Sequence, residues 1–338
     1  MSKYIKKAAL LLPLILFLTA CEAEPVVYQT GFISMDTYIS FTVYGENAEN
    51  AAKAAQEETQ RLEALFSVTD PDSEVSKINN SGGEAVNIGT DTASVIAEAL
   101  RIGAASDGAL DITLRPVIKE WGFTTGEYKI PDSGTLAALL EYVDYKAVTL
   151  DGGTVSVPKE YRIDLGSVAK GYVGDRTISV LRENGIASAL VNLGGNVQTL
   201  GTKPDGENWR VAVQNPFGEG NLCVIEISDK AIVTSGNYER YFEDENGTRY
   251  HHIIDPKDGY PADNGLVSAT IIGESGVECD ALSTAVFVMG EDRAGELWRN
   301  DGGFEMILVT DEGKMLVTEG LTGCFENRSD MEVEIIKK

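Results

Sequence analysis

Ala187-Ser188-Ala189-Leu190-Val191-Asn192-Leu193-Gly194-Gly195-Asn196 reads as a strand that runs into a paired-glycine turn, and it begins a long succession of strands. Trp209 to Gln214, Cys223 to Ile227, Ala231 to Ser235 and Leu266 to Ile272 follow, each rich in β-branched and apolar residues and separated from the next by turn formers. Only then does helical patterning return, at Cys279 to Met289 and Asp292 to Arg299, before two more strands at Phe304 to Thr310 and Lys314 to Thr318. Upstream, Asp36 to Tyr44 is strand-like. Asn47 to Phe66 is an Ala-rich helix with Leu62, Leu65 and Phe66 at helical spacing, and Asp70 to Gly89 is a polar loop. Thr90 or Asp91 can cap a helix in which Val95, Ile96, Ala99, Leu100 and Ile102 recur, stopping near Asp107-Gly108. A hairpin is expected around Asp151-Gly152-Gly153, then a helix from Ser167 to Asn184 ended by Gly185. Long β meanders between packed helices predict an α+β protein with mixed or antiparallel sheets, not a doubly wound parallel one.

With 338 residues, the chain is long enough for one large domain or two interleaved lobes, and 43% hydrophobic residues is a globular composition. The 28 basic and 53 acidic side chains give a net charge of -25, which argues against binding nucleic acid or an anionic lipid surface. An anionic substrate would need a cation or a local basic group to hold it.

The first residues form a targeting segment. Lys3, Lys6 and Lys7 make a basic start, Ala8 to Ala20 an apolar stretch too short for a comfortable membrane span, and Leu18-Thr19-Ala20-Cys21 has the form of a lipobox. This predicts a signal over residues 1–20, a lipidated Cys21 followed by a tether over 21–29, and one domain over 30–338 anchored on the extracytoplasmic face of a bacterial membrane. Cys223, Cys279 and Cys324 are widely spaced without a C-x-x-C, so they are read as small buried residues or one disulfide with a free thiol.

Four segments carry chemistry. Both histidines of the chain lie in Tyr250-His251-His252-Ile253-Ile254-Asp255-Pro256, and they alone titrate near neutrality without perturbation. The helical stretch opening Asp280-Ala281-Leu282-Ser283-Thr284 would point a carboxylate and a hydroxyl from one face, a donor set for a hard cation such as Mg²⁺; an N-cap and a core-facing hydroxyl would look the same. Arg162-Ile163-Asp164-Leu165-Gly166-Ser167-Val168-Ala169-Lys170-Gly171 turns through glycine into a helix N-terminus with a lysine, a phosphate-binding arrangement or a plain strand-to-helix turn. Asn192-Leu193-Gly194-Gly195-Asn196 lets a backbone approach a ligand, or simply turns.

In chain order, Met35-Asp36-Thr37, Gly108-Ala109-Leu110-Asp111-Ile112-Thr113, the D-L-G-x-x-A-K-G run from Asp164 to Gly171, Asn192 to Asn196, His252-Ile253-Ile254-Asp255-Pro256 and Asp280-Ala281-Leu282-Ser283-Thr284-Ala285 resemble the motifs of the ApbE family of FAD:protein FMN transferases. The resemblance covers nearly all of the chain after the signal. It implies an α+β body with the flavin dinucleotide and Mg²⁺ between lobes. It implies that Met35, Ala109, Leu110, Asp111, Asp164, Lys170 and Ile254 line the FAD site. Ser167, through its carbonyl, and Asp280, Ser283 and Thr284 would surround Mg²⁺. His252 would act as base, Asp255 would position the imidazole or its loop, and Lys170 would neutralise phosphate charge. The implied reaction moves FMN from FAD to a Thr or Ser hydroxyl of an acceptor flavoprotein in an ion-pumping or extracellular electron-transfer system and releases AMP. Hydrolysis of FAD to FMN and AMP uses the same residues, and a flavin-carrying lipoprotein without catalysis would retain FAD. In one place the chain departs from the family: Thr69 stands where many relatives have a flavin-stacking tyrosine, leaving Phe66 or another aromatic to replace that contact, or the flavin held less tightly.

Overall fold

The computed structural model describes residues 25–338, so the signal and Cys21 lie outside the described residues. Nine strands lie side by side in chain order: β1 (Val27–Ser34), β2 (Thr37–Tyr44), β3 (Ser188–Leu193), β4 (Asn196–Leu200), β5 (Ala231–Gly236), β6 (Leu266–Gly273), β7 (Glu305–Thr310), β8 (Lys314–Thr318) and β9 (Glu332–Ile336). Every pair is antiparallel except β8 with β9. The expected α+β class with mainly antiparallel pairing is therefore what the chain forms. β1 starts inside the stretch read as tether, since Val27 already pairs with Tyr44.

Helices α1 (Ala48–Phe66), α2 (Thr90–Ala105), α3 (Ala169–Glu183) and α4 (Gly276–Met289) lie on one side of this sheet: α1, α3 and α4 touch its strands, and α2 packs against α4 and α1. α1 turns Ala48, Ala51, Ala52, Ala55, Thr59, Leu62 and Phe66 inward, a three-and-four spacing that places small side chains where α3 lies close by. The other face carries a separate three-stranded sheet built from Trp209–Gln214, Asn221–Ile227 and Phe325–Asn327, packed through Val211, Val213 and Ile225. A third apolar cluster, centred on Trp121, joins Leu114, Val117, Phe123, Leu136 and Ile254.

Local chemistry corrects several expectations. The polar stretch Asp70 to Gly89 contains a helix, Glu74–Asn79, because Ser73 caps it by accepting from Ser76 N at 2.9 Å. α2 is entered through Gly89 with no side-chain cap; Asp91 instead accepts from Arg61 and Tyr172, each at 2.7 Å. α4 is capped by Ser275, which puts Asp280 inside the helix and removes the N-cap reading of that residue. All three described cysteines are free, with Cys223 and Cys279 buried.

Two hairpin turns meet at one end of the strands. Met35 and Asp36 close β1 to β2 with φ of 52° and 56°, and Gly194 and Gly195 close β3 to β4 with φ of 60° and 94°. Such two-residue turns need positive φ because only then does their twist match that of the strands. A glycine fits readily, whereas Met35 is held there by Glu63 of α1, which accepts from Met35 N at 2.7 Å and from Ser34 Oγ. Thr37 fills the space where a Gly194 side chain would stand.

α3 and α4 pass so closely that Gly171 has no room for a side chain: a Cβ there would run into Gly276 O and the Asp280 side chain. Gly171→Ala is expected to force the helices apart and cost about 1–3 kcal/mol of stability. A urea midpoint equal to that of the parent would show that the crossing relaxes freely.

Candidate active site

The helix crossing brings two distant motifs together. Gly171 N donates to Asp280 Oδ2 at 2.8 Å, so the start of α3 and the second turn of α4 share one hydrogen bond across 109 residues of chain. Asp280 is buried, and that burial raises its carboxyl above the usual range, while the Lys170 ammonium and the N-H groups at Lys170 and Gly171 pull the other way. On the same helix Ser283 Oγ donates to Asp280 O at 2.8 Å and lies 2.8 Å from Ser235 Oγ of β5, which is also 3.4 Å from Thr284 Oγ1. Ser235 had no sequence signal, since its place in the group depends on β5 lying under α4.

Asp175 is a second residue that sequence reasoning missed. From α3 it accepts from Gly276 N at 2.7 Å and Val277 N at 3.0 Å, closing the N-terminus of α4 and fixing where Asp280 falls. Burial pushes its carboxyl up to about 6.

The two histidines separate cleanly. His251 is buried; Ile253 N donates to its Nδ1 at 3.3 Å, and its Nε2 lies 3.1 Å from Ala262 O. That assigns the proton to Nε2, leaves neither nitrogen free, and makes His251 a structural residue. His252 is half-buried and its Nδ1 lies 3.1 Å from Arg240 O, an acceptor, so Nδ1 carries the proton and Nε2 keeps its lone pair. Desolvation lowers His252 to about 4, with the Arg240 and Lys170 charges adding to the effect. At neutral pH the ring is therefore unprotonated and able to accept a proton. Lys170 also draws down Glu239, whose carboxyl is raised overall by burial. The charge of one ammonium thus reaches Asp280, His252 and Glu239. Lys170→Met is expected to let His252 titrate at a higher pH, because a positive neighbour that disfavours imidazolium is gone. With only two imidazoles in the chain, ring resonances in an NMR titration report this directly, and an unmoved midpoint would put Lys170 too far away.

Other expected residues shape the site rather than point into it. Asp111 uses Oδ1 for Thr113 N at 2.7 Å and Thr113 Oγ1 at 2.6 Å, and Oδ2 for Tyr145 N at 2.8 Å, so its carboxylate clamps its own loop; Ala109 and Leu110 beside it are buried. Asp164 Oδ1 accepts from Gly166 N at 2.8 Å and Oδ2 pairs with Arg115 at 3.4 Å, which shapes the turn carrying Ser167 into α3. Asp255 Oδ1 accepts from Lys257 N at 2.9 Å. It orders the Asp255-Pro256 turn, and among the described residues no hydrogen bond joins it to His252. Ile254 is buried in the Trp121 cluster.

A groove of about 980 Å³ borders this region, lined by Val68, Asn79, Arg115, Tyr128, Tyr142 and Arg162 among others. Thr69, next to Val68, is exposed. Phe66 does not substitute for the missing tyrosine, being 5% exposed and packed edge-on to Tyr172 in the core. Tyr128 is an aromatic that reaches the groove, and its ring connects through Phe123 to His252, with centroids 5.6 and 6.3 Å apart.

Among the described residues no three His, Cys, Asp or Glu side chains gather into a metal cluster. Mg²⁺ does not require one, because it is commonly held by one or two carboxylates together with substrate phosphate oxygens. Asp280, whose Oδ2 meets a single N-H, with the Ser283 and Thr284 hydroxyls, has that donor chemistry.

The ApbE family model matches residues 35–308. Curated proteins named FAD:protein FMN transferase are similar over most of their length: that of Vibrio cholerae is 33% identical, covering 88% of this chain and 92% of its own, and that of Escherichia coli K12 is 30% identical, covering 91% and 93%. Among solved structures, the ApbE protein of Thermotoga maritima superposes with a TM-score of 0.84 at 34% identity over 90% of this chain and 100% of that one, and the flavin transferase ApbE of Vibrio cholerae with 0.80 at 28% over 88% and 100%. With motif order, sheet topology and full-length similarity in agreement, this chain belongs to the ApbE family.

Proposed function

We propose that this protein transfers FMN from FAD to a threonine or serine hydroxyl of an acceptor flavoprotein and releases AMP, with Mg²⁺ as cofactor. The observation that carries the reading is the hydrogen bonding of His252: Nδ1 is tied to Arg240 O, and Nε2 has no hydrogen-bond partner among the described residues. The acceptor oxygen bonds to the phosphorus of the FMN half, the P-O bond to the AMP half breaks, AMP departs with that electron pair, and His252 Nε2 takes the hydroxyl proton. Lys170 meets the phosphate oxygens, in a chain whose overall charge would otherwise repel FAD, while Gly171 N, entering α3, holds the Asp280 carboxylate. Asp280, Ser283, Thr284 and the Ser167 carbonyl would hold the cation, which when bound offsets charge on the diphosphate. A lipid on Cys21 would keep the enzyme at the extracytoplasmic membrane face, where exported acceptors pass.

The test is mass spectrometry of a threonine-bearing acceptor domain after incubation with the protein from Glu22 onward, FAD and Mg²⁺, with AMP and free FMN measured together. Gain of one FMN with matching AMP supports transfer. AMP with free FMN and an unmodified acceptor supports hydrolysis instead, and neither product supports a flavin carrier.

A further inference from the structure

Asn196, the first residue of β4, is 1% exposed, and neither Oδ1 nor Nδ2 has a hydrogen-bond partner among the described residues. It is the one described side chain with two such atoms. Buried amides are ordinarily satisfied, so an orphan donor and acceptor on one side chain calls for a role.

Its place in the sheet supplies one. Side chains two apart on a strand share a face, and Gln198 donates through Nε2 to Gly171 O at 2.9 Å, so Asn196 faces the helices as well. Gln198 also occupies the room left by the missing side chain of Gly276. Two residues along β4 advance about 6.6 Å, and four along α4 advance about 6 Å. The directions agree, because β4 pairs with β5 as Gln198 with Ala231 and Val197 with Ile232, while further along β5 Ser235 meets Ser283. Hence, as Gln198 is level with Gly276, Asn196 is level with Asp280, beside the residue pair Lys170 and Gly171.

We infer that Asn196 is a positioning residue for Asp280: its amide finds its partner when Asp280 and Lys170 take up the arrangement they adopt around a bound cation and diphosphate. This rests on the reading under Proposed function. Sealed from water, the amide acts on its protein neighbours and not on the ligand directly. Its unpaired state without ligand lowers the stability of the unliganded fold, and its pairing favours the loaded one.

Asn196→Leu removes both polar atoms at similar volume. The expected result is an unliganded Tm equal to or above that of the parent, together with Mg²⁺ affinity, measured by calorimetry in the presence of FAD, weakened about 10- to 100-fold. In an Asp280→Asn background the same change should add no further loss. A lower Tm with Mg²⁺ affinity intact would overturn the inference and make Asn196 a structural residue. Asn196→Ala, read the same way, serves if the leucine variant does not fold. Parent protein that binds no Mg²⁺ with FAD would overturn the metal reading itself, whereas parent binding that survives unchanged in both Asn196 variants overturns this inference alone.

Discussion

Asp280→Asn is expected to abolish Mg²⁺-dependent FMN transfer, a loss on the order of 10³-fold or more, while leaving the unliganded protein at least as stable as the parent. The amide keeps an oxygen for Gly171 N, so the hydrogen bond joining α3 and α4 survives. What disappears is a carboxylate that burial disfavours, as its raised pKa records. Removing a buried charge that lacks a full ion-pair partner does not weaken a fold, but it takes away the strongest cation ligand in the group. Thermal unfolding without ligand and AMP release with FAD and Mg²⁺ check the two halves. Retained turnover would place the cation elsewhere, and a collapse in Tm would mean that the carboxylate is structural.

His252→Gln should leave FAD binding close to that of the parent while slowing transfer about 10²- to 10⁴-fold, the range for loss of a general base. Glutamine can still donate to Arg240 O, which preserves the loop but supplies no basic nitrogen. Because His252 is lowered to about 4, the parent should keep its base unprotonated from neutral pH down to that value, so that protonation of the base itself costs activity only as pH falls through it. Single-turnover transfer measured against FAD affinity separates the effects. Equal rates in variant and parent would assign the proton to another group.

Patterning made much of the fold legible. The limits of Trp209–Gln214 and Lys314–Thr318 agree with the sequence reading residue for residue, because alternation and turn formers act locally. The helix at Glu74–Asn79 was not legible, since six polar-rich residues carry too little period, and β9 was missed because its parallel place beside β8 is a long-range choice. Within the site, the candidate residues could be named from motif wording, yet their tasks could not. Asp111 and Asp255 are the same residue types as Asp280, but their oxygens are taken by backbone N-H groups of their own loops.

The sequence by itself determined the α+β class, the order of the motifs and the restriction of imidazole chemistry to His251 and His252, because composition and local period are properties of the chain alone. The tertiary structure decided which histidine keeps a nitrogen without a partner among the described residues, that Ser235 joins Ser283 and Thr284, that the Asn196 amide is buried, and that Phe66 belongs to the core. Those outcomes depend on partners brought together from distant parts of the chain, as where Gly171 lets α3 cross α4 at a distance no side chain would allow, and burial and hydrogen-bond partners exist only once such contacts are made.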